Sequence, residues 1–233
     1  MIKIEQFRYN SDNLSYLIVG EKEAAAIDAG AVDEIVSYLD SRGLCLKYVL
    51  NTHSHGDHTL GNRRILEKSG AAFLSNETLR REKIFAIGGE QIRVIHTPGH
   101  TEDSLTFDIA GTLVTGDTLF NGTVGNCFSG DLFGYYTSIK KIMAYPSDTI
   151  VYAGHDYVKA SVAFARTIEK DNDNLDRFWA QYDPEHVFSR LADEYLVNPY
   201  LRFNDEKIIA IMKQRGLCVD AEYDRWKSLM EVY

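Results

Sequence analysis

From Thr52 to His58 the chain reads Thr-His-Ser-His-Gly-Asp-His, which places three imidazoles and a carboxylate within six residues. The motif follows at once on the apolar run Tyr48-Val49-Leu50, which reads as a short buried strand. It therefore belongs on the loop at that strand's carboxyl end. A helix would send His53 and His55 apart, because residues two positions apart do not share a face. A strand would group Asp57 with both histidines and leave His58 on the opposite side. A tight loop can turn all four onto one point. Four nitrogen and oxygen donors do not close two metal sites, so the motif predicts further ligands downstream, on loops that the fold must bring to the same edge.

Three such positions exist. His100 follows the strand-like run Ile92 to Ile95 and a Pro98-Gly99 turn. Asp117 follows Thr112 to Thr115 and a glycine, and His155 follows Thr149 to Tyr152 and a glycine. Each stands at the carboxyl end of an apolar run, as the first motif does, and together they use five of the chain's seven histidines. Seven donors suit two divalent ions. His53, His55 and His100 would serve one, Asp57, His58 and His155 the other, and Asp117 would bridge. Zinc is the first expectation, with iron or manganese as alternatives, because imidazole and carboxylate ligands do not select sharply among them. Zinc can lower the pKa of a bound water to about 7, supplying hydroxide at neutral pH. Asp57 and Asp117 are the catalytic carboxylates on this reading, Asp57 as the group that orients the hydroxide. His96, at a strand end, is as readily a supporting group as an idle one. His186, in a helical stretch, reads as a surface residue. Asp28 before Ala29-Gly30 is either a turn former or a support for a ligand.

The first 157 residues mix strands and helices. Strands are expected over 2–9, 14–20, 23–28, 46–51, 71–74, 92–95, 104–109, 112–115 and 149–152. Helices are expected from Val32 with a Gly43 C-cap, over 59–69 with Leu60, Ile65 and Leu66 toward the core, and over 136–144. Residues 121–134 read as a loop. After Tyr157 strand signals vanish, and residues 158–169, 174–182, 185–195, 205–215 and 220–231 lean helical. The pattern gives a layered α/β body over 1–157 and a helical subdomain over 158–233. A length of 233 residues with 45% hydrophobic and 12% aromatic content supports a sizeable core. A net charge of -9 with no basic stripe argues against nucleic acid and anionic membrane surfaces as partners. No charged-then-apolar leader opens the chain and no apolar run reaches membrane-spanning length. The three cysteines are scattered and odd in number, which fits free thiols in a reducing compartment. The cytoplasm is the expected location, for a monomer or a homo-oligomer.

The motif His53 to His58, followed by His100, Asp117 and His155 in that order, resembles the dinuclear ligand set of the metallo-β-lactamase fold superfamily. The resemblance implies a four-layer αββα sandwich with the site at one sheet edge. Within the superfamily the chain is similar to glyoxalase II, the hydroxyacylglutathione hydrolases. Thr52 to Asn62, Thr115 to Phe120, Ala153 to Tyr157 and the tail segment Asn198-Pro199-Tyr200-Leu201-Arg202 carry the likeness, which spans most of the chain. It implies substrate contacts from Tyr157 and from the loop after Asp117. There the chain departs from the family. Asn126 stands where a lysine is expected, Phe128 where a tyrosine is expected, and Asn204 in place of a basic residue for which Lys207 could substitute.

The reaction that fits is hydrolysis of a small-molecule thioester, an S-acyl (2-hydroxyacyl) glutathione or related thiol ester, to a carboxylic acid and a free thiol. The metals would stabilise the oxyanion. Thiol pKa values near 8.5 make the thiolate a tolerable leaving group without a dedicated acid. A second activity of the same fold, a mononuclear iron dioxygenase of glutathione persulfide, would use only His53, His55, His100 and Asp117. The helical tail favours the hydrolase.

Overall fold

The computed structural model describes residues 2–232. Its elements, in chain order, are β1 (Lys3–Tyr9), β2 (Asn13–Val19), β3 (Glu23–Ile27), α1 (Val32–Arg42), β4 (Cys45–Leu50), α2 (Gly56–Thr59), α3 (Asn62–Ser69), β5 (Ala72–Phe73), α4 (Asn76–Glu82), β6 (Ile84–Ile87), β7 (Glu90–His96), β8 (Leu105–Ile109), β9 (Thr112–Gly116), β10 (Leu119–Phe120), β11 (Thr123–Val124), α5 (Leu132–Met143), β12 (Ile150–Ala153), α6 (Val158–Ile168), α7 (Asn174–Gln181), β13 (Ser189–Arg190), α8 (Leu191–Val197), α9 (Glu206–Gln214) and α10 (Glu222–Val232).

Strand alternation builds the layers. One sheet has the order β1-β2-β3-β4-β5 and the other β13-β12-β9-β8-β7-β6. Along β2, Leu14, Tyr16 and Ile18 face the second sheet, while Leu17 and Val19 face outward onto Ile35, Leu39 and Ile65 of α1 and α3. Along β9 and β12, Val114 and Tyr152 point into the space between the sheets. Leu113 and Val151 point out onto Tyr135 and Ile139 of α5 and onto Phe203, Ile208 and Trp226 of the tail. Three apolar cores thus separate four layers, the αββα order that the resemblance implied. Period-two side-chain alternation lets each sheet serve two cores at once.

Several local expectations are corrected. The helix expected over 59–69 is broken. Gly61 packs so tightly on the Ala29 carbonyl that a Cβ there would lie 1.8 Å from its oxygen. The chain ends α2 at Thr59 and restarts at Asn62, which leaves Leu60 51% exposed instead of in the core. The loop expected over 121–134 contains half of the β10–β11 hairpin, and α5 begins at Leu132 because the Asp131 side chain accepts from Gly134 N. Strands do not cease at Tyr157. Within the helix expected over 185–195, Ser189 and Arg190 pair antiparallel with Val151 and Ile150. The elements α4 and β6 had no counterpart in the sequence reading. The three cysteines are free. Among the described residues no helix is long and apolar enough to cross a membrane.

Candidate metal centre

The loops after β4, β7, β9 and β12 meet at one edge of the two sheets, and all seven expected donors lie there. His53 Nε2 and His55 Nδ1 are 2.9 Å apart, and His55 Nδ1 and His100 Nε2 are 3.0 Å apart. Beside them, His58 Nε2 lies 3.2 Å from His155 Nε2, and Asp57 Oδ2 lies 3.3 Å from His155 Nε2 and 3.6 Å from His58 Nε2. Asp117 stands between the two groups. Its Oδ1 is 3.3 Å from His58 Nε2, and its Oδ2 is 3.4 Å from His155 Nε2 and 3.5 Å from His100 Nε2. The donor atoms of His53, His55 and His100, and those of Asp57, His58 and His155, each lie within 4.8 Å of one another.

The residues fit a cation. Donors held at about 2.0–2.1 Å from one tetrahedral zinc lie about 3.4 Å apart, which the separations above bracket. Asp117 Oδ1 is buried and accepts no hydrogen bond from the described residues. An ionised oxygen in that state is costly unless a cation meets it. The electrostatics agree. Burial pushes the Asp117 carboxyl up, but His155 and His58 outweigh it and hold the group far below the usual carboxylate range. Burial and the neighbouring His58 bring His53 down to about 4, and burial lowers His100, so both favour the neutral form that binds metal. Burial opposes a charge on His58 too, but Asp28 and Asp117 raise it to about 11. Positive charge therefore belongs at this point, as a proton or as a metal ion. The seam tolerates no bulk, since a Cβ on Gly154 would fall 2.1 Å from Asp117 Oδ1.

A second ring of contacts fixes the imidazoles. Asp28, at the end of β3, adopts a left-handed backbone with φ 52°. That turns its carboxylate back to accept from Thr52 N at 2.8 Å and Thr52 Oγ1 at 2.7 Å, and to meet His58 Nδ1 at 2.9 Å. Both earlier readings of Asp28 hold, because the turn is what aims the support. Thr52 Oγ1 lies 3.0 Å from His53 Nδ1, and the Asn126 carbonyl 2.9 Å from His100 Nδ1.

A model of the metallo-beta-lactamase superfamily matches residues 9–84 and 75–155, and one described as the hydroxyacylglutathione hydrolase C-terminus matches 156–230. Curated hydroxyacylglutathione hydrolases of Brucella ovis and Brucella abortus are 34% identical over 230 residues, covering 90% of this chain and 90% of theirs. The chain belongs to the hydroxyacylglutathione hydrolase family. The family places it among the thiolester hydrolases of the metallo-β-lactamase superfamily, and the His/Asp clusters imply divalent metal. Solved structures agree on the fold. ETHE1 from Myxococcus xanthus superposes with TM-score 0.68 at 24% identity, over 97% of this chain and 99% of that one. The BLEG-1 B3 metallo-beta-lactamase gives 0.65 at 20%, over 85% and 99%.

Aromatic side chains flank the donors. Phe128 is 65% exposed and sets its ring edge against His55 and His100, at centroid distances of 5.5 and 5.2 Å. Tyr157 stacks on His155 at 4.9 Å with the planes 9° apart. Asn126 reaches the site through its backbone carbonyl, while the residue itself is exposed. Lys207, on α9, is engaged in ion pairs. Its ammonium is 3.0 Å from Glu169 and 3.1 Å from Asp171. Glu169 is the C-cap of α6, whose N-cap is Tyr157. His96 Nε2 meets the Glu102 carbonyl at 2.8 Å and takes no part in the cluster. His186 is on the surface, in a turn, with its Nε2 3.0 Å from Tyr152 Oη. The sequence reading missed Tyr9, Asp12 and Asn13, whose side chains reach His155 and Asp57.

Proposed function

We propose that this chain is a dinuclear metal-dependent hydrolase of small-molecule thiol esters, with S-2-hydroxyacyl esters as the first substrates to consider. The reading is carried by Asp117, one buried carboxylate whose two oxygens face donors from both triads. His53, His55 and His100 would hold one ion, Asp57, His58 and His155 the other, and Asp117 both. Zinc comes first among the candidates, with iron or manganese as alternatives. When bound, such a pair of ions supplies Lewis acidity that activates a water and polarises a carbonyl.

The chain's own groups do the rest. Asp57, whose side chain keeps 42% of its exposure, would orient the attacking hydroxide. No general acid is required, because a thiolate with a parent pKa near 8.5 leaves unassisted. Phe128 over His55 and His100, and Tyr157 over His155, flank the donors and would pack against the ester. Residues 1–157 would carry the metal chemistry and 158–233 complete the recognition surface. Residues 121–134 contain no Lys or Arg, so a carboxylate on the thiol carrier finds no cation in this loop. Apolar contact and hydrogen bonding would hold the carrier there. The charge of -9 supports a small molecule over nucleic acid as the partner, and the cytoplasm remains the expected compartment.

The test is thioester hydrolysis by metal-replete protein, comparing lactoylglutathione, coenzyme A esters and simple thiol esters. Turnover of at least one is expected, and failure with all three would reject the reading. One iron per chain together with oxygen uptake on a persulfide would establish the mononuclear dioxygenase instead.

A further inference from the structure

We propose that the β1–β2 turn is a positioning strap for the second metal triad alone, acting through Asp12 and Asn13. The proposal rests on the dinuclear reading above. Residues 9–14 send six contacts to one half of the centre, one of them Asn13 Nδ2 at 3.3 Å from His155 Nε2. Asp12 Oδ1 lies 2.8 Å from His155 Nδ1. Asn13 Nδ2 donates to Asp57 Oδ2 at 2.9 Å, and Tyr9 Oη donates to the Asp57 carbonyl at 2.9 Å. Leu14 N donates to the Gly154 carbonyl at 2.9 Å, and Asp156 N to the Asp12 carbonyl at 2.8 Å. The supports of the other half come from different loops, namely Thr52 on His53 and the Asn126 carbonyl on His100.

Each contact has a chemical consequence. A carboxylate on His155 Nδ1 fixes the tautomer that leaves the Nε2 lone pair facing the ion, and raises its basicity. Asn10 Nδ2 donates to Asn13 Oδ1 at 3.2 Å, which directs the amide NH2 of Asn13 at Asp57. That donor sets the Asp57 rotamer beside Asp117, where two carboxylates otherwise repel. The strap is anchored on its far side, because Asp156 takes Arg8 Nη2 at 2.6 Å and the Tyr182 hydroxyl at 2.7 Å. Asn13 is 4% exposed and His155 6%, so both receive these contacts in a buried setting, while the Asp12 side chain keeps 35% of its exposure.

The experiment is a cobalt(II) titration of metal-free wild type, Asp12→Ala and Asp12→Asn. Circular dichroism checks the fold, and metal analysis after gel filtration counts the ions. Wild type should take two. In Asp12→Ala one of the two should bind about 10–100-fold more weakly, with the other unchanged. Asp12→Asn keeps shape and an oxygen acceptor, so it should move the same ion by less, and it carries the test if the alanine variant does not fold. A wild type that takes fewer than two ions would overturn the dinuclear reading and the strap with it. A wild type that takes two, beside a folded variant in which both ions weaken equally or neither does, would overturn the strap alone. Thioester turnover is not the readout, so the substrate assignment stands or falls separately.

Discussion

Replacing Glu194 by glutamine should flatten a fall in stability that the native chain undergoes between about pH 4.5 and 7. Glu194 lies on α8 and is fully buried. Both its carboxylate oxygens are 3.0 Å from Gly122 N, and Asn198 Nδ2 donates to Oε2 at 2.8 Å. Burial pushes its pKa up from 4.5 to about 7, more than the hydrogen bonds from Ser189, Asn198 and Gly122 pull it down, and Asp193 adds to the rise. The native state thus holds this proton more tightly than the unfolded chain does. The resulting stabilisation is complete below pH 4.5 and is lost as pH climbs through 7. A rise of about 2.5 at about 1.36 kcal/mol per pH unit is worth about 3 kcal/mol. Urea denaturation of both proteins at pH 5 and pH 8 measures it. The metal-site groups are the same in both proteins and cancel in the difference. The glutamine variant should gain about 2–3 kcal/mol on wild type between the two pH values. A difference that does not move with pH would refute the reasoning, because it would mean that Glu194 titrates alike folded and unfolded.

Phe128→Ala should raise KM about 2- to 10-fold, the equivalent of an aromatic contact of about 0.5–1.5 kcal/mol, while metal content stays at the wild-type value. Steady-state kinetics beside metal analysis checks this, and an unchanged KM for every thiol ester turned over would remove Phe128 from the substrate path. Gly154→Ala inserts a methyl 2.1 Å from Asp117 Oδ1 and 2.9 Å from His58 Cε1. It should cost about 1–3 kcal/mol of stability and at least one bound ion. Full metal content in that variant would show that Asp117 does not need its present position.

The donor set was legible because its chemistry is written in residue type, and each member stands just after an apolar run. His53 to His58 could be read locally, and His100, Asp117 and His155 repeated the same strand-then-ligand pattern. The strap was not legible for a physical reason. Asp12 and Asn13 look like ordinary turn residues, and they meet His155 only because the folded sheets bring together positions 143 and 142 apart in sequence. The ion pairs of Lys207 were equally invisible, because its partner Glu169, whose carboxylate Arg202 shares, is brought to it only by folding. Leu60 was placed in the core by periodicity, yet the close approach of Gly61 to Ala29 interrupts the helix and reverses its face. Short strands such as β10, β11 and β13 have two residues each, too few for an alternating pattern to register.

The outer core of the second sheet has a consequence for how this architecture can vary. Leu113, Leu119 and Val151 are closed off jointly by α5 and by Phe203, Ile208, Met212 and Trp226 of the tail. Removing the tail would uncover Leu113 and Val151 on the strands that lead to Asp117 and His155, and so loosen the loops that hold those donors. Phe128, exposed on the rim, lies outside that shared core. The helices behind it can be exchanged only for another apolar roof.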